Sequence, residues 1–125
     1  MESKEPLSGL LLELRRGTVV LSVLSQLGQP MYGYHLVRIL SEGGVPIEAN
    51  TLYPLLRRLE SQGLLQSVWE TGGAKPRKYY VITKEGRAVY GELRAHWAEL
   101  VQRVNALLES APAEKKKEEI DDANA

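Results

Sequence analysis

The 125-residue sequence predicts a mainly α fold with a small β-hairpin, organised as a winged helix-turn-helix followed by one long C-terminal helix. Three observations predict it. Three stretches with apolar residues at helical spacing come first; two short runs rich in Val, Ile, Tyr and Trp, separated by turn residues, follow; a heptad stripe running toward residue 110 comes last. Helix, helix, helix, hairpin is the order of elements in a winged helix-turn-helix. At this length, 43% hydrophobic residues suit one compact domain with a modest core. The segments divide as a flexible N-terminus at 1–6, the winged domain at 7–83, a dimerisation helix at 84–110 and a disordered, charged tail at 111–125.

The first helix is expected from Leu7 to Leu27, stopped by Gly28 and Pro30. Arg15 and Arg16 fall on its solvated face or at its junction with the next element. A second helix, from about Met31 to Ser41, turns Leu36, Val37 and Leu40 inward and ends at Gly43 and Gly44. The third, NTLYPLLRRLE, is the best defined, because Leu52, Leu55, Leu56 and Leu59 recur at i, i+3, i+4 and i+7 and Gly63 supplies a left-handed cap. Pro54 is admissible there if Asn50 caps the helix. Its missing N–H then forfeits at most one backbone bond, whereas a mid-helix proline costs about 3 kcal/mol or more. With the leucines inward, Asn50, Pro54, Arg57 and Ser61 face away from the core, flanked by Tyr53 and Arg58. LLQSVWET and RKYYVIT make the hairpin, with a loop near residues 72 to 76, Tyr80 and Ile82 inward and Tyr79 and Val81 outward. Thr83 caps the last helix and Glu85 lies in its positively polarised first turn.

Charge and composition narrow the function. The net charge is zero, yet residues 31 to 87 hold eight Lys and Arg against five Glu, while residues 109 to 125 hold three Lys against six acids. The middle is basic and the tail cancels it. No apolar run approaches the roughly 20 residues that span a bilayer, and the start lacks a signal pattern, so a cytoplasmic protein without membrane association is expected. There is no cysteine, no phosphate-cradling glycine loop and no metal-ligand spacing around His35 or His96, so neither an enzyme nor a cofactor or metal is expected.

In a winged helix the third helix enters the major groove of double-stranded DNA and the hairpin lies alongside. The candidate DNA-binding set is therefore Asn50, Thr51, Tyr53, Pro54, Arg57 and Arg58 on that helix, with Lys75, Arg77 and Lys78 at the hairpin tip. Asn pairs bidentately with adenine and Arg with guanine, which assigns base reading to Asn50 and Arg57. The tip cations and the Tyr53 hydroxyl suit phosphate. Six phosphates neutralised by a dimer give a slope of log K on log salt near −5. The plainer reading is a solvated helix face and a basic loop, which the order of elements argues against.

On the last helix Tyr90, Leu93, Trp97, Leu100, Val104 and Leu107 form a seam with heptad spacing. A domain this small has little core left to cover it, so a twofold homodimer is expected, with Leu7, Leu10, Leu11 and Leu14 of the first helix closing over the partner's last helix. The alternative is that both stripes pack within one chain. Two Trp97 rings across the axis, with Leu93, Leu100, Leu11 and Leu14, can form a slot for a planar aromatic small molecule.

ELRRGTVVLSVL, QPMYGYHL, NTLYPLLRRLESQGLL and PRKYYVITKEG, over roughly residues 13 to 90, resemble the successive signatures of PadR-type transcriptional regulators. The resemblance implies a homodimeric winged-helix repressor, often released from its operator by a small molecule. With a single helix after the wing, the chain is similar to the short subfamily, some of whose members sense drugs through a tryptophan placed like Trp97. The resemblance also implies phosphate contacts for Tyr53, Lys75, Arg77 and Lys78. Val81 stands where relatives often have a polar or basic residue, and Asn50 where a small residue such as glycine is common, so the resemblance does not say which base Asn50 reads. A function from another class, a protein-interaction adaptor on a winged-helix scaffold, gives no reason for three cations at the hairpin tip.

Overall fold

The computed structural model describes residues 4 to 112. Of the tail expected from 111, only Ala111 and Pro112 fall within them. Five helices and a three-stranded antiparallel sheet follow in the order α1 (Lys4–Arg16), α2 (Val19–Gln26), β1 (Met31–Tyr32), α3 (Gly33–Glu42), α4 (Ala49–Ser61), β2 (Leu65–Glu70), β3 (Arg77–Ile82) and α5 (Lys84–Ser110).

Three expectations are corrected in the first part of the chain. The first helix is two helices. Gly17 is a poor helix former, and both the N–H and the hydroxyl of Thr18 donate to the Arg15 carbonyl, at 3.0 and 2.8 Å, in a turn that ends α1. At the other end, α1 begins at Lys4, so residues 4 to 6 of the expected flexible segment are helical. Met31 and Tyr32, expected in the second helix, form a strand instead. They pair with Tyr80 and Tyr79 of β3, making β3 the centre of a sheet ordered β1-β3-β2.

The third helix of the sequence pattern is α4. Glu48, extended at φ −78 and ψ 149, precedes its first turn, and its carbonyl accepts from Thr51 and Leu52 at 3.0 and 2.9 Å. Asn50 is thus inside the helix and not its cap, and Pro54 lies in the second turn. The missing Pro54 N–H deprives the Asn50 carbonyl of its ladder donor at an exposed position, where water can replace it. Gly63, at φ +81, ends the helix in the left-handed conformation that the spacing required.

Leu24, Leu27, Leu36, Leu52, Leu56 and Leu59 meet Leu65, Tyr80 and Ile82 of the sheet in one buried cluster. The start of α5 is locked to this unit. The Thr83 hydroxyl donates to the Gly63 carbonyl at 2.7 Å and accepts from the Gly86 N–H at 2.9 Å. A Cβ at Gly86 would lie 2.1 Å from the Leu64 carbonyl oxygen, so only glycine allows that approach. Tyr90, expected at the head of the seam, packs half-buried against the winged core. By its contacts the chain divides inside α5 into the units Met1–Arg94 and Ala95–Ala125. From residue 95 to 110 no residue is buried. No helix among the described residues is long and apolar enough to cross a membrane.

Candidate nucleic-acid interface

The helical repeat of about 100° per residue gives α4 four faces. Leu52, Leu56 and Leu59 point into the core. Tyr53 and Glu60, both half-buried, face α3 and the hairpin. Asn50, Arg57 and Ser61 face outward and are exposed, with Pro54 at their edge. Thr51, Pro54, Leu55 and Arg58 line a groove shared with α1, α2 and α3.

This arrangement divides the sequence candidates. Asn50 and Arg57 share the exposed outward face. Thr51 and Arg58 turn toward the groove. Tyr53 packs against Gly33, where an added Cβ would come within 2.5 to 2.8 Å of the phenol ring and hydroxyl. Gly33 of QPMYGYHL and Tyr53 of NTLYPLLRRLE therefore meet in space, which explains a glycine between two tyrosines at the start of α3.

At the hairpin, Trp69 pairs with Lys78 and Glu70 with Arg77. Alternation sends adjacent residues to opposite faces of the sheet, so Arg77 and Lys78 point apart. Lys75 is exposed in the loop. The Arg77 guanidinium lies 5.2 Å from the centre of the Tyr32 ring, which also meets Tyr79 edge-on. Lys78 turns to the core side, with its ammonium 5.3 Å from the Tyr80 ring centre and 3.8 Å from a Glu60 carboxylate oxygen. The Ser67 hydroxyl donates to the same carboxylate. Glu60 thus ties α4 to the hairpin, a role that the sequence reading missed. Its signal was an acid one turn beyond the arginines, facing a strand not yet placed in register.

Trp97, Leu93, Leu100, Val104 and Leu107 are exposed along α5, as are Leu7, Leu10, Leu11 and Leu14 on α1. Leu108 and Leu12, not singled out from the sequence, are exposed as well. No group of residues able to hold a metal ion occurs among the described residues.

Comparison with known proteins agrees with this architecture. Residues 20–92 match the model of the transcriptional regulator PadR-like family. The transcriptional regulator Rv3488 of Mycobacterium tuberculosis is 36% identical over 93 residues, which cover 74% of this chain and 87% of the relative. The crystal structure of a PadR family transcriptional regulator from Eggerthella lenta superposes with a TM-score of 0.84 at 58% identity, covering 88% of this chain and 98% of that one. A PadR-like transcription factor from Bacteroides fragilis is 35% identical, with a TM-score of 0.66 over 79% of this chain and 98% of its own. With the winged unit matched over its core, its hairpin and the start of its long helix, the chain belongs to the PadR-like family of transcriptional regulators.

Proposed function

We propose that the protein is a homodimeric, operator-binding repressor. The observation that carries this reading is the outward face of α4, where exposed Asn50 and Arg57 flank the exposed edge of Pro54. A helix offering Asn and Arg outward from a rigid leucine core is suited to the major groove. Lys75 and Arg77 supply phosphate contacts at the hairpin. Lys78, held by Glu60, contributes less, so a dimer neutralises about four phosphates and the salt slope is near −3.5.

Dimerisation is supported by the open stripe from Leu93 to Leu107 together with the leucines of α1. Across a twofold axis, paired Trp97 rings with Leu93, Leu100, Leu11 and Leu14 would form a flat apolar slot for a planar aromatic effector, whose binding favours a spacing of the two α4 helices unsuited to the operator.

The test is selection of genomic fragments retained by the purified protein, followed by Arg57→Ala. We expect a loss of about 1 to 3 kcal/mol on the selected operator and little on random DNA. Retention of no fragment at low salt, with charge reversal at Lys75 and Arg77 leaving partner proteins bound, would instead identify an adaptor.

A further inference from the structure

The two faces of α1 have different surroundings. Leu7, Leu10, Leu11 and Leu14 share one stripe, and Leu12 and Arg16 fall on the opposite side of the helix. That opposite side lines the groove against α4, a hollow of about 940 Å³ that lies within the winged unit. Its inner wall is aliphatic and half-buried, formed by Val19, Val20, Val37, Ile47 and Leu55, and no aromatic ring lines it. Exposed Arg15, Arg16 and Arg58 stand at its mouth against one carboxylate, that of Glu48. Among the described residues none of the three arginines is in a salt bridge.

We propose that this groove binds an aliphatic-chain carboxylate, the chain against the valines and Ile47 and the head group on Arg15 and Arg58. Guanidinium groups bind carboxylate bidentately, and three cations against one acid favour an anion. The wall offers apolar area without a ring to stack on, which favours an alkyl chain over a planar aromatic. The volume is that of a small-molecule site, about 300 to 1,000 Å³. A DNA backbone could use the arginines but has no use for an aliphatic hollow behind them. A second copy meets the other face of α1 in the proposed dimer, which leaves this face free.

Thr51, Pro54 and Arg58 belong to α4, so an occupant of the groove touches the helix that presents Asn50 and Arg57. Occupancy then changes operator affinity. This regulatory consequence rests on the DNA-binding reading, whereas the binding itself does not.

Calorimetric titration of sodium decanoate, below its micellar concentration, into the full-length protein tests the site. Saturable binding is expected, about tenfold or more tighter than that of decan-1-ol or decyltrimethylammonium, and falling about fourfold for each methylene removed from the chain. The double substitution Arg15→Gln with Arg58→Gln should weaken decanoate about tenfold or more. Leu12→Trp, at an exposed position on the groove, should also weaken it by filling the hollow. In a Trp69→Phe background, Trp97 fluorescence should stay constant as decanoate saturates. Equal binding of the alcohol, unchanged binding by the double variant, or quenching of Trp97 overturns the site. Loss of DNA affinity in the double variant with decanoate binding intact makes the arginines phosphate contacts. A shift in sedimentation on Leu12→Trp makes the groove a contact between copies. Either result overturns the proposal. Binding without change in operator affinity overturns its regulatory half, and a protein that takes decanoate but no DNA leaves the site standing and removes the DNA-binding reading.

Discussion

Leu56 and Leu107 both occupy apolar stripes on helices, and helical spacing marks both for burial, yet Leu56 is 0% exposed and Leu107 is 69% exposed. Around Leu56 the winged unit supplies its own cover, because α2, α3 and the sheet converge on the inward face of α4. Around Leu107 a single described chain supplies none. Periodicity records that a face is to be covered and is silent about what covers it. The difference is one of energy as well as of place: a fully buried leucine gains about 1.5 to 3 kcal/mol over an exposed one, a gain that the stripe from Trp97 to Leu107 leaves unrealised in one chain.

The largest effect should come from truncating one leucine in each region. Leu56→Ala removes a fully packed side chain and is expected to cost about 2 to 5 kcal/mol, at any protein concentration. Leu107→Ala should cost less than about 0.5 kcal/mol in dilute solution and markedly more at concentrations where chains associate. Thermal unfolding over a hundredfold range of concentration separates them. Equal, concentration-independent losses would mean that one chain covers both stripes.

Two glycines of α5 sharpen the contrast within a single helix. Gly86 lies against the Leu64 carbonyl and Ile82, whereas a Cβ at Gly91 meets nothing within 4 Å. Gly86→Ala is expected to destabilise by about 1 to 3 kcal/mol through overpacking. Gly91→Ala should stabilise by about 0.5 to 1 kcal/mol, since alanine is the better helix former. Denaturant titration reads both. A neutral Gly86→Ala would show that the start of α5 can lift away from the hairpin without penalty.

What was legible in the sequence follows the same division. α4 and α5 could be read because their apolar period runs unbroken between strong punctuation, Gly63 after one and Thr83 before the other. The break at Gly17 was hidden by leucines and valines that keep helical spacing on both sides of it, although a glycine followed by a β-branched threonine was itself the signal. β1 is two residues long, too short for alternation to register, and its partners lie far along the chain. Asn50 carries the side-chain chemistry of a cap, whereas Glu48 begins the helix without any side-chain cap bond and so carries no such signature. The groove beside α4 was illegible because it needs four helices to be placed first. Lys78 could have been separated from Arg77 by strand alternation alone; its ion pair with Glu60 could not, since that depends on where β3 lies against α4.

That ion pair carries the smallest predicted effect. Both side chains are about a third exposed, at 31% for Lys78 and 33% for Glu60, and the separation of 3.8 Å is long, so solvent screens the attraction. Glu60→Gln should therefore cost the fold no more than about 0.5 kcal/mol, the more so because glutamine can still accept from Ser67. Its consequence for DNA runs the other way. If the hairpin meets DNA as proposed, Lys78 must leave Glu60 before it can reach a phosphate, and the carboxylate would repel the backbone. Removing that charge releases the cation and the repulsion together, which should raise operator affinity about two- to fivefold and steepen the salt slope from near −3.5 toward −5. Binding measured across a salt series distinguishes this from the opposite role. If Glu60→Gln weakens the operator complex, the carboxylate acts by fixing the angle between α4 and the hairpin, and the two surfaces contact DNA as one rigid piece.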